Sequence, residues 1–300
     1  MIKESNPGPH PSKASELVKG DGRTHIQSSL MRESLVDRRV IAKTNSEREF
    51  EILPDVTLVG IGGHSIFDRG KEALLPVAEQ LAEVRSKHKM VIGVGGGTRV
   101  RHTVAMALDL GLPTGGIAQL VGAMEEANAI FLNALLAKSG SIVMQREHFW
   151  ELPLYLESHM LPIVISIPPY HFWEPPPEDG PLPTHGSDFG LFIHAEVMGM
   201  HRIVFVKDED GLYDKDPKKH PGAKLIRKAT LDELLETHPA LQPGAHDADL
   251  ILDRQLFLAW KSARHVRRVQ IVNGLRRGEI AAALAGEDVG TVITKEMHHG

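Results

Sequence analysis

What most constrains this chain is a unit that occurs twice in succession: a short apolar run, a glycine cluster and then a helical pattern. Val56-Thr57-Leu58-Val59-Gly60-Ile61 runs into Gly62-Gly63, and Met90 to Val94 runs into Gly95-Gly96-Gly97. Apolar runs of this length without alternation read as strands buried on both faces. Between them, Lys71 to Lys87 places Leu74, Leu75, Val77, Ala78, Leu81 and Val84 at helical spacing. Strand, glycine turn, helix and strand again begin a parallel sheet with right-handed crossovers.

The alternation continues along the chain. Thr98 is expected to N-cap a helix running through Val104 to Leu110. A long helix is expected over Ala118 to Lys138, with strands at Ser141 to Met144 and Leu161 to Ile167. Residues 168 to 187, with seven prolines and two histidines, cannot be regular structure, and a loop of this length inside a compact domain is usually functional. Then follow helix Asp188 to Met198, strand Arg202 to Val206 and an acidic glycine loop from Lys207 to Asp216. Helices from Thr230 and over Asp249 to Arg264, strand Arg268 to Val272, helix Arg276 to Leu284 and strand Thr291 to Thr294 complete the order. Residues 1 to 50 lack periodicity and read as an N-terminal arm, partly flexible or intersubunit, or as a short capping helix around Ser28 to Val40. Residues 51 to 300 show no repeat or linker that would divide them.

Composition narrows the function classes. A net charge of -5 leaves no global basic field to hold a phosphate backbone, which argues against nucleic acid as a main partner. We find no run of about 18 apolar residues and no apolar signal core at the start, so a soluble, cytoplasmic protein without a membrane partner is expected. The absence of cysteine excludes disulfides, thiolate metal sites and cysteine nucleophiles. Any metal must sit on oxygen or imidazole, and with 17 histidines imidazole is plentiful.

Both glycine clusters stand at the carboxyl end of a strand and before a helix, where backbone N–H groups converge on a phosphate. Gly62, Gly63, Gly95, Gly96 and Gly97 are therefore candidate nucleotide-binding positions, although a glycine turn in an α/β protein is often only structural. Neither cluster matches the dinucleotide fingerprint, and there is no P-loop Gly-Lys-Ser/Thr. Arg99, Arg101 and His102 put cations beside the second cluster. Lys207 to Pro217 follows a buried strand with a cation, a carboxylate cluster and Gly211. Its carboxylates are suited to magnesium and its lysine to phosphate, while acidic turns are also commonly just solvated.

Together these residues resemble the amino acid kinase family, in particular its uridylate kinase branch and the molybdenum storage proteins. The likeness runs from about Leu53 to Thr294. It is carried by Val56 to Gly70, by Gly95-Gly96-Gly97-Thr98-Arg99-Val100-Arg101-His102, by Pro168-Pro169-Tyr170, by Phe205 to Pro217, by Val269 to Leu275 and by Leu284 to Thr291. The resemblance implies an α/β, three-layer αβα sandwich with a mainly parallel central sheet, the carbamate-kinase-like fold. It implies ATP and Mg2+ at the glycine turns and at Lys207, Asp208, Asp210, Gly211, Tyr213 and Asp216, with Asp188 near the phosphates. It further implies a homo- or hetero-hexamer with a paralogous subunit, enclosing molybdate or tungstate clusters as cargo. His171, Glu147 and His148 fall where a storage subunit presents ligands to a polyoxometalate, and His159 and His185 are candidates by region.

One position departs from the family. Its first strand reads Val-Lys-Ile-Gly-Gly, whereas here Gly60 replaces the lysine. Loss of that charge removes a means of stabilising phosphoryl transfer, so weak turnover is expected. The alternatives are a uridylate-kinase-like phosphotransferase and a catalytically weak partner of an active paralogue.

Overall fold

The computed structural model describes residues 17–20, 23–26, 51–167, 186–244 and 250–296. The chain divides into two compact units, Met1–Phe50 and Glu51–Gly300. In the first, strands β1 (Leu17–Gly20) and β2 (Arg23–Ile26) pair antiparallel. The capping helix expected around Ser28 to Val40 lies outside the described residues.

The second unit is built on an eight-stranded sheet. Its strands are β3 (Thr57–Ile61), β4 (Met90–Val94), β5 (Ser141–Val143), β6 (Leu161–Ile165), β7 (Arg202–Lys207), β10 (Lys228–Thr230), β11 (Arg268–Asn273) and β12 (Thr291–Thr294), in the order β10-β12-β11-β7-β3-β4-β6-β5. A two-stranded ribbon of β8 (Leu212–Tyr213) and β9 (Leu225–Ile226) stands apart from it. Every pairing in the large sheet is parallel except β11 with β12. The strands are buried throughout their central runs because helices cover both faces.

The pleat sorts side chains between two cores. Val59 and Ile61 of β3 face one side with Ile92 and Val94 of β4, under helices α1 (Lys71–Val84), α3 (Thr114–Leu136) and α8 (Glu279–Leu284). Leu58, Val91, Ile203 and Phe205 face the other, with α5 (Ser187–Val197) and α7 (Arg254–Trp260). Helix α2 (Thr98–Asp109) packs against α3, while α4 (Leu152–Glu157) and α6 (Leu231–Thr237) complete the layers. A capping box between Thr230 and Glu233 starts α6.

Several boundaries differ from the sequence reading. Helix α2 begins at Thr98 itself, with Gly97 as its N-cap at φ 74°, so Thr98 is not the cap. Its hydroxyl is drawn to Asp68 instead. The helix expected over Asp249 to Arg264 is confined to Arg254–Trp260, and the one expected from Arg276 starts at Glu279, after Gly278 in a left-handed conformation. Helix α3 with the turn that follows it, Thr114–Ser139, is long and apolar enough by length and composition to cross a membrane, which corrects the reading that no such stretch exists. Hydropathy averaging passes over its Glu125, Glu126 and Asn128. In the fold, α3 lays Val121, Ala129, Leu132 and Leu136 against the core.

Gly60 has a packing role. Gly60 pairs with Gly93 across β3 and β4, on the face where Leu191 of α5 descends. A Cβ on Gly60 would stand 2.7 Å from the Phe205 ring, and one on Gly93 would stand 2.3 Å from Leu191 Cδ2. Two adjacent glycines therefore let α5 settle onto the sheet. The volume a lysine stem would need at position 60 is filled by Phe205 and Leu191.

Candidate functional site

The carboxyl ends of β3, β4 and β7 open into a crevice of about 700 Å³, the place where open α/β sheets take ligands. Gly62, Gly63, Gly96 and Gly97 form part of its wall. The two glycine loops touch backbone to backbone: a Cβ on Gly63 would fall 2.2 Å from the Gly97 nitrogen. Gly62 N–H donates to the Val206 carbonyl and Gly95 N–H to that of Ile61, which anchors each loop to the sheet. The N–H groups of Gly63, Gly96 and Gly97 meet no acceptor among the described residues. With the start of α2 beside them they form a cradle suited to an anion.

Asp68 ties the loops together. Its Oδ2 accepts from the Thr98 N–H at 2.8 Å and the Thr98 hydroxyl at 2.6 Å, and stands 3.2 Å from His64 Nδ1. Burial pushes this carboxyl up, but the bonds from Thr98 and His64 outweigh it and hold Asp68 below the usual range. Asn128 of α3 clamps the second loop, donating to the carbonyls of Gly95 at 2.6 Å and Gly96 at 3.2 Å.

The floor of the crevice carries a buried ion pair. Lys207, at the end of β7, donates from Nζ to both carboxylate oxygens of Asp188 at 2.8 Å, and the same ammonium lies 5.8 Å from the Phe205 ring centre. Burial raises the Asp188 carboxyl to about 6, with the Asp253 charge adding to it, although Lys207 pulls it down. Asp253 caps the start of α5 by accepting from Phe189 N–H at 2.9 Å.

The candidates do not all converge. Asp208, Gly211, Tyr213 and Asp216 line the crevice with Lys207, whereas Asp210 is turned away, held by Asn273 Nδ2 at 2.8 Å and by Arg276. Asp208 faces Arg69 at 3.3 Å and Lys218 at 3.7 Å, and Asp216 faces Lys219 at 3.5 Å. Each of these carboxylates faces at least one cation, and no cluster of three or more metal-ligating side chains occurs among the described residues. Burial, then Asp210 and Glu209, raise the Tyr213 hydroxyl. Arg99 points to Asn128 and lies 5.5 Å over the Phe131 ring, while Arg101 lines the crevice. Glu147 and His148 are exposed on a 3-10 turn and line neither this crevice nor the smaller cavity described below. His148 instead meets Glu151 at 2.8 Å, a hydrogen bond that raises its titration. His159 is exposed at φ 56°. His171, His185 and the Pro168-Pro169-Tyr170 loop lie outside the described residues.

Sequence reasoning missed Glu125. It is fully buried on α3, lines the crevice, and accepts from Ser166 N–H at 2.9 Å, the Ser166 hydroxyl at 2.6 Å and Ile167 N–H at 3.2 Å. Desolvation raises it to about 7 against the pull of these donors and of Arg146. The signal was present: a carboxylate in register with Val121, Asn128 and Leu132, on the stripe α3 buries.

A family model, described as the amino acid kinase family, matches residues 154–273. The molybdenum storage protein subunit beta of Azotobacter vinelandii is 40% identical over 269 residues, 90% of this chain and 97% of the relative. The chain belongs to the molybdenum storage branch of the amino acid kinase family. This storage-branch chain is also 28% identical, over 221 residues, to the uridylate kinase of Methanobrevibacter smithii, covering 73% of the chain and 89% of the relative. Among solved structures, the uridylate kinase of Archaeoglobus fulgidus aligns with a TM-score of 0.61 at 19% identity, over 79% of this chain and 99% of that one. The UMP kinase of Bacillus anthracis aligns with a TM-score of 0.59 at 18% identity, over 80% and 96%. At such identities the structural likeness shows the fold alone, and that fold is the mostly parallel three-layer one described above.

Proposed function

We propose that this chain is a cytoplasmic subunit of a hexameric storage assembly that takes up molybdate or tungstate as oxoanion clusters and binds ATP with Mg2+ in the crevice. The observation that carries the reading is 40% identity to a molybdenum storage subunit across nearly the whole of both chains. That relative's designation as subunit beta supports a mixed assembly with a paralogous subunit. The crevice fits a nucleotide phosphate: three N–H groups without acceptors among the described residues, a helix start, and Lys207 within the same wall. Magnesium would be held by phosphate oxygens and a single carboxylate such as Asp208, consistent with the scattered acidic groups.

Phosphoryl transfer by this chain is expected to be weak. The space a lysine would need at position 60 is filled by Phe205 and Leu191, and Lys207, in the crevice wall, is paired with Asp188. An active site that developed charge here would have to break that pair first.

Elemental analysis by plasma mass spectrometry tests the reading. Purified protein is incubated with molybdate or tungstate, with and without magnesium ATP, and desalted. Many metal atoms per chain, rising with nucleotide, are expected. Metal at or below one atom per chain in every condition, whether the chain is purified alone or with a co-purifying paralogue, would overturn it.

A further inference from the structure

A second, smaller cavity of about 150 Å³ opens beside the crevice and shares Ile167 with it. Its walls are apolar: Met144, Phe149, Val164, Ile165 and Ile193. Gln145, Arg146 and His194 are the polar residues of its lining, together with the Trp150 indole. Arg146 Nε and Nη1 and His194 Nδ1 are buried, and none meets a hydrogen-bond partner among the described residues. Glu125 feels the charge of Arg146, but its oxygens are occupied by Ser166 and Ile167. Burial depresses His194 to about 4, so the ring is neutral near pH 7, and it lies with its centre 4.5 Å from that of Phe149.

A buried guanidinium edge with no acceptor is costly unless something brings it one. The chemistry of that acceptor can be narrowed. The Nε–H and Nη1 donors lie on different sides of the guanidinium and so reach separate acceptor atoms, and a planar, delocalised cation of this kind favours an oxyanion such as a carboxylate. A single cation beside a neutral imidazole balances one negative charge, so a dianion such as molybdate would leave charge uncompensated in an apolar cavity. A cavity of about 150 Å³ holds a molecule the size of benzene.

We propose that this cavity binds a small organic monocarboxylate with an apolar body, its carboxylate held by the guanidinium of Arg146 and its body packed against Phe149, Val164 and Ile193. His194 lines the same cavity, and its buried Nδ1 is open to a further polar atom where the ligand carries one. The site is distinct from the crevice and from any oxoanion cargo, and it does not depend on the proposed storage role.

The test is calorimetric titration of the full chain with benzoate, alongside benzamide as the neutral isostere and molybdate as the inorganic anion. Benzoate is expected to bind, benzamide and Arg146→Met to weaken binding by about 30-fold or more, and molybdate not to compete. Arg277→Met, a change to an exposed surface cation, should leave benzoate affinity unaltered. Trp150 lines the cavity, so binding should change tryptophan emission, and Trp150→Phe should abolish most of that change while retaining affinity. If Arg146→Met does not fold by circular dichroism, Arg146→Lys, which keeps the charge but loses the planar guanidinium and its several donors, should show the weakened binding. No binding at millimolar benzoate, equal affinity for benzamide, unaltered affinity in the folded Arg146 variant, or displacement by molybdate would each overturn the proposal.

Discussion

Helix α5 serves two cavities, and its two ends meet them in opposite ways. At its start, Asp188 enters the crevice already paired with Lys207, Asp253 satisfies the Phe189 N–H, and nearby Glu125 accepts three hydrogen bonds. Toward its end, His194 lines the smaller cavity with an Nδ1, and Arg146 with an Nε and Nη1, that meet no hydrogen-bond partner among the described residues. The crevice satisfies its buried charged groups Asp188, Lys207 and Glu125 and leaves open backbone N–H groups and the Ser65 hydroxyl, which suits a ligand of many phosphate oxygens. The smaller cavity leaves its side chains open, which suits a ligand bearing one charge. Where a protein completes its own hydrogen bonds, removing a partner is expensive; where it does not, removing the orphan costs little.

The largest test of that contrast is Lys207→Met. It strands Asp188 in the floor of the crevice, and breaking a buried pair from one side costs about 3–5 kcal/mol. Urea unfolding should show that loss, and Lys207→Met with Asp188→Leu should recover most of it. A single-variant loss under about 1 kcal/mol would show that the pair is not buried as described.

Next come two pH effects of opposite sign. Glu125 rises from 4.5 to about 7 on folding, so its contribution is fully present below pH 4.5 and is lost as pH rises through 7. His194 falls from 6.5 to about 4, so its contribution is present above pH 6.5 and is lost as pH falls through 4. Each is worth about 3 kcal/mol across its window, and in the wild type the two slopes partly cancel. Taking differences from wild type removes the descending slope that Asp188 adds between pH 3.8 and about 6. On that scale Glu125→Gln should gain stability as pH rises from 4.5 to 7, and His194→Gln should lose it as pH rises from 4 to 6.5. Urea midpoints measured across these windows decide it, and parallel profiles in both variants would contradict the burial of one or the other group.

The sequence revealed the scaffold of this contrast better than its chemistry. Strands β4 and β12 were legible to the residue because apolar runs ended by glycine or charge admit few alternatives. The glycine cradle was legible for the same reason, since it follows directly from strand ends. Helix α7 was overextended because its apolar periodicity continues past the residues that hold helical geometry. Lys207 and Asp188 could be chosen as candidates, but not their pairing, which joins positions 19 residues apart across the sheet and helix layers. Glu125 was hidden in an apolar helix and Arg146 among exposed charges. The stripe of α3 signals that Glu125 is buried, but its partners Ser166 and Ile167 lie 41 and 42 positions on, and no local pattern carries that pairing or the burial of the Arg146 nitrogens.

A smaller effect sharpens the link between the two ends of α5. Gly60→Ala places a Cβ 2.7 Å from Phe205 Cδ1 and 3.1 Å from Leu191 Cδ1, at the point where α5 rests on the sheet. Overpacking of this kind costs about 1–3 kcal/mol. If α5 must sit close for Asp188 to reach Lys207, the variant should also weaken ATP binding in the crevice while benzoate binding in the smaller cavity changes less. Equal losses at both would mean that α5 moves as a whole rather than lifting at its start.

The smallest expected effect is the most telling. Arg146→Met removes a half-buried cation whose buried Nε and Nη1 have no acceptor among the described residues, and its thioether can pack against Phe149 and Ile193. The desolvation cost of the guanidinium disappears, while the loss is confined to its field on Glu125, so stability should change by less than about 1 kcal/mol in either direction. Glu125 should then titrate still higher, because the cation that pulled it down is gone. The descending limb of the stability profile, exposed in a His194→Gln background, would extend above pH 7 when Arg146→Met is added. A loss as large as that of Lys207→Met would instead mean that Arg146 is a structural partner of Glu125, and that the two cavities are built alike.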